Sequence, residues 1–149
     1  MFGHITVGTN DLERAVRFYD AVMETLGQKR SMSGDTLAAY GDRSGARFFV
    51  MTPFDGAEAT VGNGVHVAFA APSAAHVDAF HAAALANGGT DEGPPGPRPH
   101  YHAKYYGGYV RDPDGNLVNV CAPLRPRRLS GRLLVVTSAR GGARLWRRR

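Results

Sequence analysis

His4 and His66 are the residues of this chain whose type and placement first suggest chemistry. Each opens a short β-prone run, His4-Ile5-Thr6-Val7 and His66-Val67-Ala68-Phe69, and aligning the two runs fixes an offset of 62 residues. The offset holds beyond that seed, matching Phe18 with Phe80, Ala21 with Ala83 and Gly27 with Gly89. A duplicated motif therefore carries one imidazole at the same place in each copy. Side chains alternate along a strand, so each histidine falls on the face opposite its large apolar neighbours, next to Thr6 in one copy and Ala68 in the other. Imidazole is a good ligand for zinc, nickel, iron and copper, but two neutral nitrogens leave a divalent ion short of charge and of donors. A carboxylate would complete a facial triad, and its expected place is the last strand. There Leu117, Asn119 and Cys121 share one side and Val118 and Val120 the other. Asn119 joins the histidines' face if the two valines point at the helices.

Further candidates cluster just before the last two strands. His100 and His102 follow a stretch from Glu92 to Pro99 that holds four prolines and two glycines, read as a rigid, non-helical connection. They can swing to a metal or act as general acid or base near neutral pH, or they are exposed loop imidazoles. Tyr105, Tyr106 and Tyr109 can line a cavity as amphipathic walls and hydroxyl donors, or pack as strand aromatics. His102 and Tyr105 are the candidate catalytic groups; His100, Tyr106 and Tyr109 are candidate cavity residues. His76 and His81 read as surface or helix-edge residues, and Cys121 as a buried small hydrophobe with no recognisable base partner.

These residues need elements to hold them. Phe2–Val7 reads as a strand, and Asn10 with Glu13 as a capping box opening a helix. Leu12, Ala15, Val16, Tyr19, Val22, Met23 and Leu26 recur at helical spacing until Gly27 stops it. Residues 28–33, 36–40 and 46–52 read as three strands. In the second copy Val65–Ala70 is the strand and Ser73 the N-cap; Val77, Phe80, Ala84 and Leu85 form the apolar stripe. Tyr105–Val110 and Leu117–Cys121 form a hairpin around Asp112-Pro113-Asp114-Gly115-Asn116. The pattern is βαβββ twice over, an α+β architecture with helices covering one face of mainly antiparallel sheet.

At 149 residues and 43% hydrophobic content the chain has enough apolar material for one domain with a packed core, and no apolar run approaches the roughly 18 residues of a membrane span. The absence of a signal-peptide pattern and the single cysteine lead us to expect a cytoplasmic protein without disulfides. The formal net charge of +5 is unevenly placed. Nine of the 18 Lys and Arg lie at or after Arg125, where no acidic residue occurs, so residues 1–124 carry a net of −4. The basic tail lacks nucleic-acid-binding motifs and the periodicity of a packed element, and reads as a solvated extension, although Leu133–Val136 could form one short strand. Residues 1–124 are read as one domain, with modules of about 2–60 and 64–123, followed by an Arg-rich extension over 125–149.

The chain resembles the glyoxalase/bleomycin-resistance/extradiol-dioxygenase proteins, the vicinal oxygen chelate superfamily. The resemblance rests on His4-Ile5-Thr6-Val7 before Asp11-Leu12-Glu13-Arg14-Ala15 and Phe18-Tyr19, on Gly64–Phe69, and on Arg111-Asp112-Pro113-Asp114-Gly115-Asn116, covering residues 2 to about 123. It implies two tandem βαβββ modules whose curved, mainly antiparallel sheet surrounds a cavity, a small-molecule substrate or ligand, and a homodimer. It also implies a divalent metal, zinc, nickel, iron or manganese, held by His4, His66 and the last-strand position. That position is usually Glu and here is Asn119; a fourth-strand carboxylate of some members falls near Val50. Losing the carboxylate removes a full charge from the site. Two functions follow from the resemblance: a metal-dependent lyase, isomerase, transferase or dioxygenase with a degenerate third ligand, or a metal-free protein that binds an antibiotic or metabolite.

Overall fold

The computed structural model describes residues 2–122; the Arg-rich extension and the short strand read at Leu133–Val136 lie outside the described residues. The first module runs β1 (His4–Gly8), α1 (Leu12–Glu24), β2 (Arg30–Ser33), β3 (Leu37–Tyr40) and β4 (Arg47–Met51). The second repeats the order with β5 (Val67–Ala70), α2 (Ala74–Ala86), β6 (Thr90–Pro97), β7 (Tyr106–Arg111) and β8 (Leu117–Ala122). Each module folds into a four-stranded mixed sheet, ordered β1-β4-β3-β2 and β5-β8-β7-β6, with β1 parallel to β4 and β5 parallel to β8. The sheets are curved and do not close.

Local chemistry differs from the expectation at three places. The cap of α1 is Asp11, whose carboxylate accepts the Arg14 N–H at 2.9 Å. Asn10 instead ties down a distant loop, accepting from the Ala59 N–H at 2.7 Å and donating to its carbonyl at 3.0 Å. The proline-rich stretch read as a connection is largely strand β6, which pairs with β7 through two bulges. Proline has no N–H to give, and an edge strand broken by bulges is where that loss is tolerated.

Phe18, Tyr19 and Val22 of α1, Val77 and Phe80 of α2, and Val50, Val110, Val118 and Val120 of the strands form one core. Leu85, expected in the α2 stripe, is 43% exposed. The two modules meet through the helices and through Phe48 and Phe69, whose rings are 5.1 Å apart edge to face. Gly89 lets Phe18 of α1 close on the second module: a Cβ there would lie 2.8 Å from the Phe18 ring and 2.8 Å from the Arg111 carbonyl.

A polar seam completes the junction. Asp114, in the β7–β8 turn, accepts from the Thr9 hydroxyl at 2.6 Å, the Asn10 N–H at 3.0 Å and the Arg14 guanidinium at 2.9 Å. Asp112 accepts from the Tyr19 hydroxyl at 2.7 Å, and Asn116 donates to the Gly8 carbonyl at 3.1 Å. Burial pushes the Asp112 carboxyl up, against the opposing pull of its Asn116 and Tyr19 hydrogen bonds. The Asp-Pro-Asp-Gly-Asn turn thus fastens the second module to the first.

Candidate functional site

With Val118, Val120 and Val110 in the helix-side core, parity places Asn119, Cys121 and Tyr109 on the opposite, open face of the second sheet. Tyr109 stands directly across from Asn119 in the β7–β8 register. Tyr105, just before β7, folds back over Gly107, where a Cβ would lie 2.8 Å from its ring. From there its hydroxyl donates to Asn119 Oδ1 at 3.0 Å, while Asn119 Nδ2 donates to the Gly108 carbonyl at 3.0 Å. Asn119 is 1% exposed, and its amide is held at both ends.

Around this anchor lies an aromatic cluster. Tyr101 packs on Tyr105 with ring centroids 5.2 Å apart, and His100 packs on Tyr101 at 4.3 Å. His66, immediately before β5, meets the Tyr109 ring edge to face at 6.1 Å. Burial raises the Tyr105 hydroxyl pKa, helped by the adjacent Cys121 thiol. Burial likewise raises that of Tyr109, and the neighbouring Tyr101 and Tyr105 hydroxyls push the same way. The phenols stay protonated well above neutral pH. The loop carrying Tyr101 holds Arg98, His100, His102 and Lys104 and no acid. Arg98 is fixed by donating to the Pro94 carbonyl at 2.7 Å, and His102 Nδ1 accepts the Lys104 N–H at 3.2 Å.

His4 lies elsewhere, on the first sheet's open face. Its ring meets Phe49 at 5.4 Å, and the Arg47 guanidinium sits 5.1 Å from the centre of the Phe49 ring. His66 shares a crevice with Val7, Val65 and Arg111, at the far end of β1 from His4. Val7 lies three positions along the strand from His4, a rise of roughly 10 Å.

The structure therefore joins His66, Tyr105, Tyr109, Asn119 and His100 in one neighbourhood and leaves His4 in another. His102 is exposed on the rim. Tyr106 is corrected: it is on the helix side, its hydroxyl donating to Asp78 of α2 at 2.8 Å, because Tyr105 and Tyr106 must alternate across the strand. His81 is corrected too; it is buried and bonds Asp91 at 2.7 Å. Cys121, expected to be buried, is half-buried beside Tyr105. Sequence reasoning missed Tyr101, placed by the loop turn alone, and Arg47, which the strand parity of Phe49 would have found.

These residues do not fit a divalent metal. Among the described residues no three His, Cys, Asp or Glu side chains converge to hold one. Asn119, at the third position, has its oxygen engaged by a phenol and its nitrogen by a carbonyl, so coordination would break a buried pair of hydrogen bonds. Val50, at the fourth, is fully buried in the core.

The model of the Glyoxalase/Bleomycin resistance protein/Dioxygenase superfamily matches residues 1–120. Among solved structures, the chain is 44% identical to a glyoxalase/bleomycin resistance protein from Albidiferax ferrireducens T118, covering 83% of this chain and 98% of that one, with a TM-score of 0.76. A glyoxalase-related enzyme from Fulvimarina pelagi shares 23% identity over 83% and 88% of the two chains, with a TM-score of 0.66. A lactoylglutathione lyase from Agrobacterium tumefaciens shares 22% over 82% and 92%, at 0.58, and these last two speak for the fold alone. No curated protein matches the chain significantly. Among the described residues no helix is long and apolar enough to cross a membrane.

Proposed function

Because the chain belongs to the glyoxalase/bleomycin resistance protein/dioxygenase superfamily, we propose that it binds a small organic molecule on the open face of its second sheet without a resident divalent metal. The observation that carries this reading is the state of Asn119. Where a metal-binding member would present a carboxylate to solvent, this chain presents a buried amide whose two polar atoms are satisfied within the protein. In place of the ion stand three phenols and an imidazole, which offer apolar faces and hydroxyls suited to an organic ligand.

A second reading keeps the metal-dependent enzyme. It is favoured by the exposure of both His4 and His66, which leaves each imidazole accessible for coordination. Elemental analysis after dialysis against zinc, nickel, iron(II) or manganese separates the two, run on the unmodified protein beside Asn119→Glu. The proposal expects no stoichiometric metal in the unmodified protein and ligand-induced thermal stabilisation that persists in chelator. Stoichiometric metal lost on His66→Ala would replace it with the enzyme reading. Light scattering of the same samples tests the homodimer that the family resemblance implies.

A further inference from the structure

On the reading that this open face takes a small organic ligand, we infer that Tyr101, Tyr109 and His66, with the basic loop 98–104, form a subsite for the carboxylate end of a flat aromatic acid. Tyr105 spends its only proton on Asn119, so its oxygen can only accept. The Tyr101 and Tyr109 hydroxyls reach one another and Tyr105, and a ligand oxygen would draw on the same two protons. An anionic oxygen is the acceptor such donors favour most, since hydrogen bonds to a charged group are about twice as strong as neutral ones.

Charge settles the sign. Stacked tyrosines alone would also suit a cation, which aromatic faces attract. Here, however, Arg98 and Lys104 lie on the adjoining loop with His100 and His102, and that loop contains no carboxylate. The acids of neighbouring β6 are taken: Glu92 pairs with Arg111 and Asp91 with His81. Among the described residues, the loop offers a carboxylate the cations Arg98 and Lys104 and offers a cation no acid. The rest of the ligand would lie along β5 and β8, where the exposed side chains are Ala68 and Ala70 and the half-buried ones Leu117 and Cys121. Small side chains leave a shallow apolar floor that suits a planar ring.

The test is NMR and calorimetric titration of the full chain with benzoate, and with benzyl alcohol as its neutral counterpart, in chelator throughout. Benzoate is expected to shift the amides of residues 105–109 and 119–121, and to bind at least about tenfold more tightly than benzyl alcohol. Tyr109→Phe should remove that preference, weakening benzoate at least about tenfold more than benzyl alcohol. Lys104→Gln, a solvent-facing change that tests the charge without touching the phenols, should weaken benzoate alone. Equal binding of the two probes at these amides overturns the carboxylate subsite and leaves the ligand face standing. Absence of shifts at these amides with either probe overturns the subsite and counts against the ligand face as well.

Discussion

The Tyr19 hydroxyl donates to the Asp112 carboxylate at 2.7 Å, joining α1 of the first module to the closing turn of the second across 93 residues of sequence. Both groups are buried, so neither finds water as a substitute. Tyr19→Phe should lower stability by about 1.5–3 kcal/mol, the usual worth of a hydrogen bond to a charged group. Chemical denaturation checks it, and an unchanged midpoint would show the seam to be ornamental.

Asp114 gathers three donors from the first module. Asp114→Ala should cost about 1.5–3 kcal/mol, because it removes charge-assisted bonds from Arg14 and from the buried Thr9 hydroxyl, which keeps only the Asp11 carbonyl at 3.0 Å. The double variant with Thr9→Val should cost less than the sum of the two single changes. Strict additivity in that cycle would mean that the two side chains are not coupled.

Gly107 holds open the space that the Tyr105 ring fills. Gly107→Ala should destabilise the fold by about 1–3 kcal/mol through overpacking and push Tyr105 away from Asn119. Tyr105→Phe keeps the ring but removes the same hydrogen bond, so both variants should move the Asn119 side-chain amide resonances in the same direction. A Gly107→Ala protein with native resonances there would refute the packing.

The His81–Asp91 pair predicts a pH dependence. The bond from His81 holds the Asp91 carboxyl below its usual value of 3.8, helped by the Gly93 N–H. A carboxyl depressed in the folded state binds its proton less readily than in the unfolded chain, so its stabilisation is present above pH ~4 and lost as the pH falls through the depressed value. Asp91→Asn should flatten that part of the acid limb of the stability curve. An acid limb identical to that of the unmodified protein would rule the pair out as its source.

Much of the fold was legible because the repeat is physical: the same apolar spacing at Phe18 and Phe80 demands the same helix packing in each copy. The alignment slips by one at the helix ends. Gly27 has φ +68°, yet its counterpart in that role is Gly88 at +92°, while Gly89 is kept small by the approach of Phe18. One residue type answered to two constraints, conformational and steric, and sequence does not separate them. Likewise the parity of β8 put Asn119 on the correct face, but not its satisfaction by Tyr105, since that depends on a ring folding back over a glycine. His81 was misjudged for a related reason: its partner Asp91 sits ten residues on, in a strand disguised by prolines.

The seam through Asp112 and Asp114 also has a bearing on order in time. Chains are made from the N-terminus, so Thr9, Arg14 and Tyr19 emerge about a hundred residues before the turn that engages them. Until that turn arrives, the first module must hold its half-finished inner surface unsealed. Closure over so long a loop costs more chain entropy than contacts within one module, and the Asp-Pro-Asp-Gly-Asn turn is where that cost is met by hydrogen bonds.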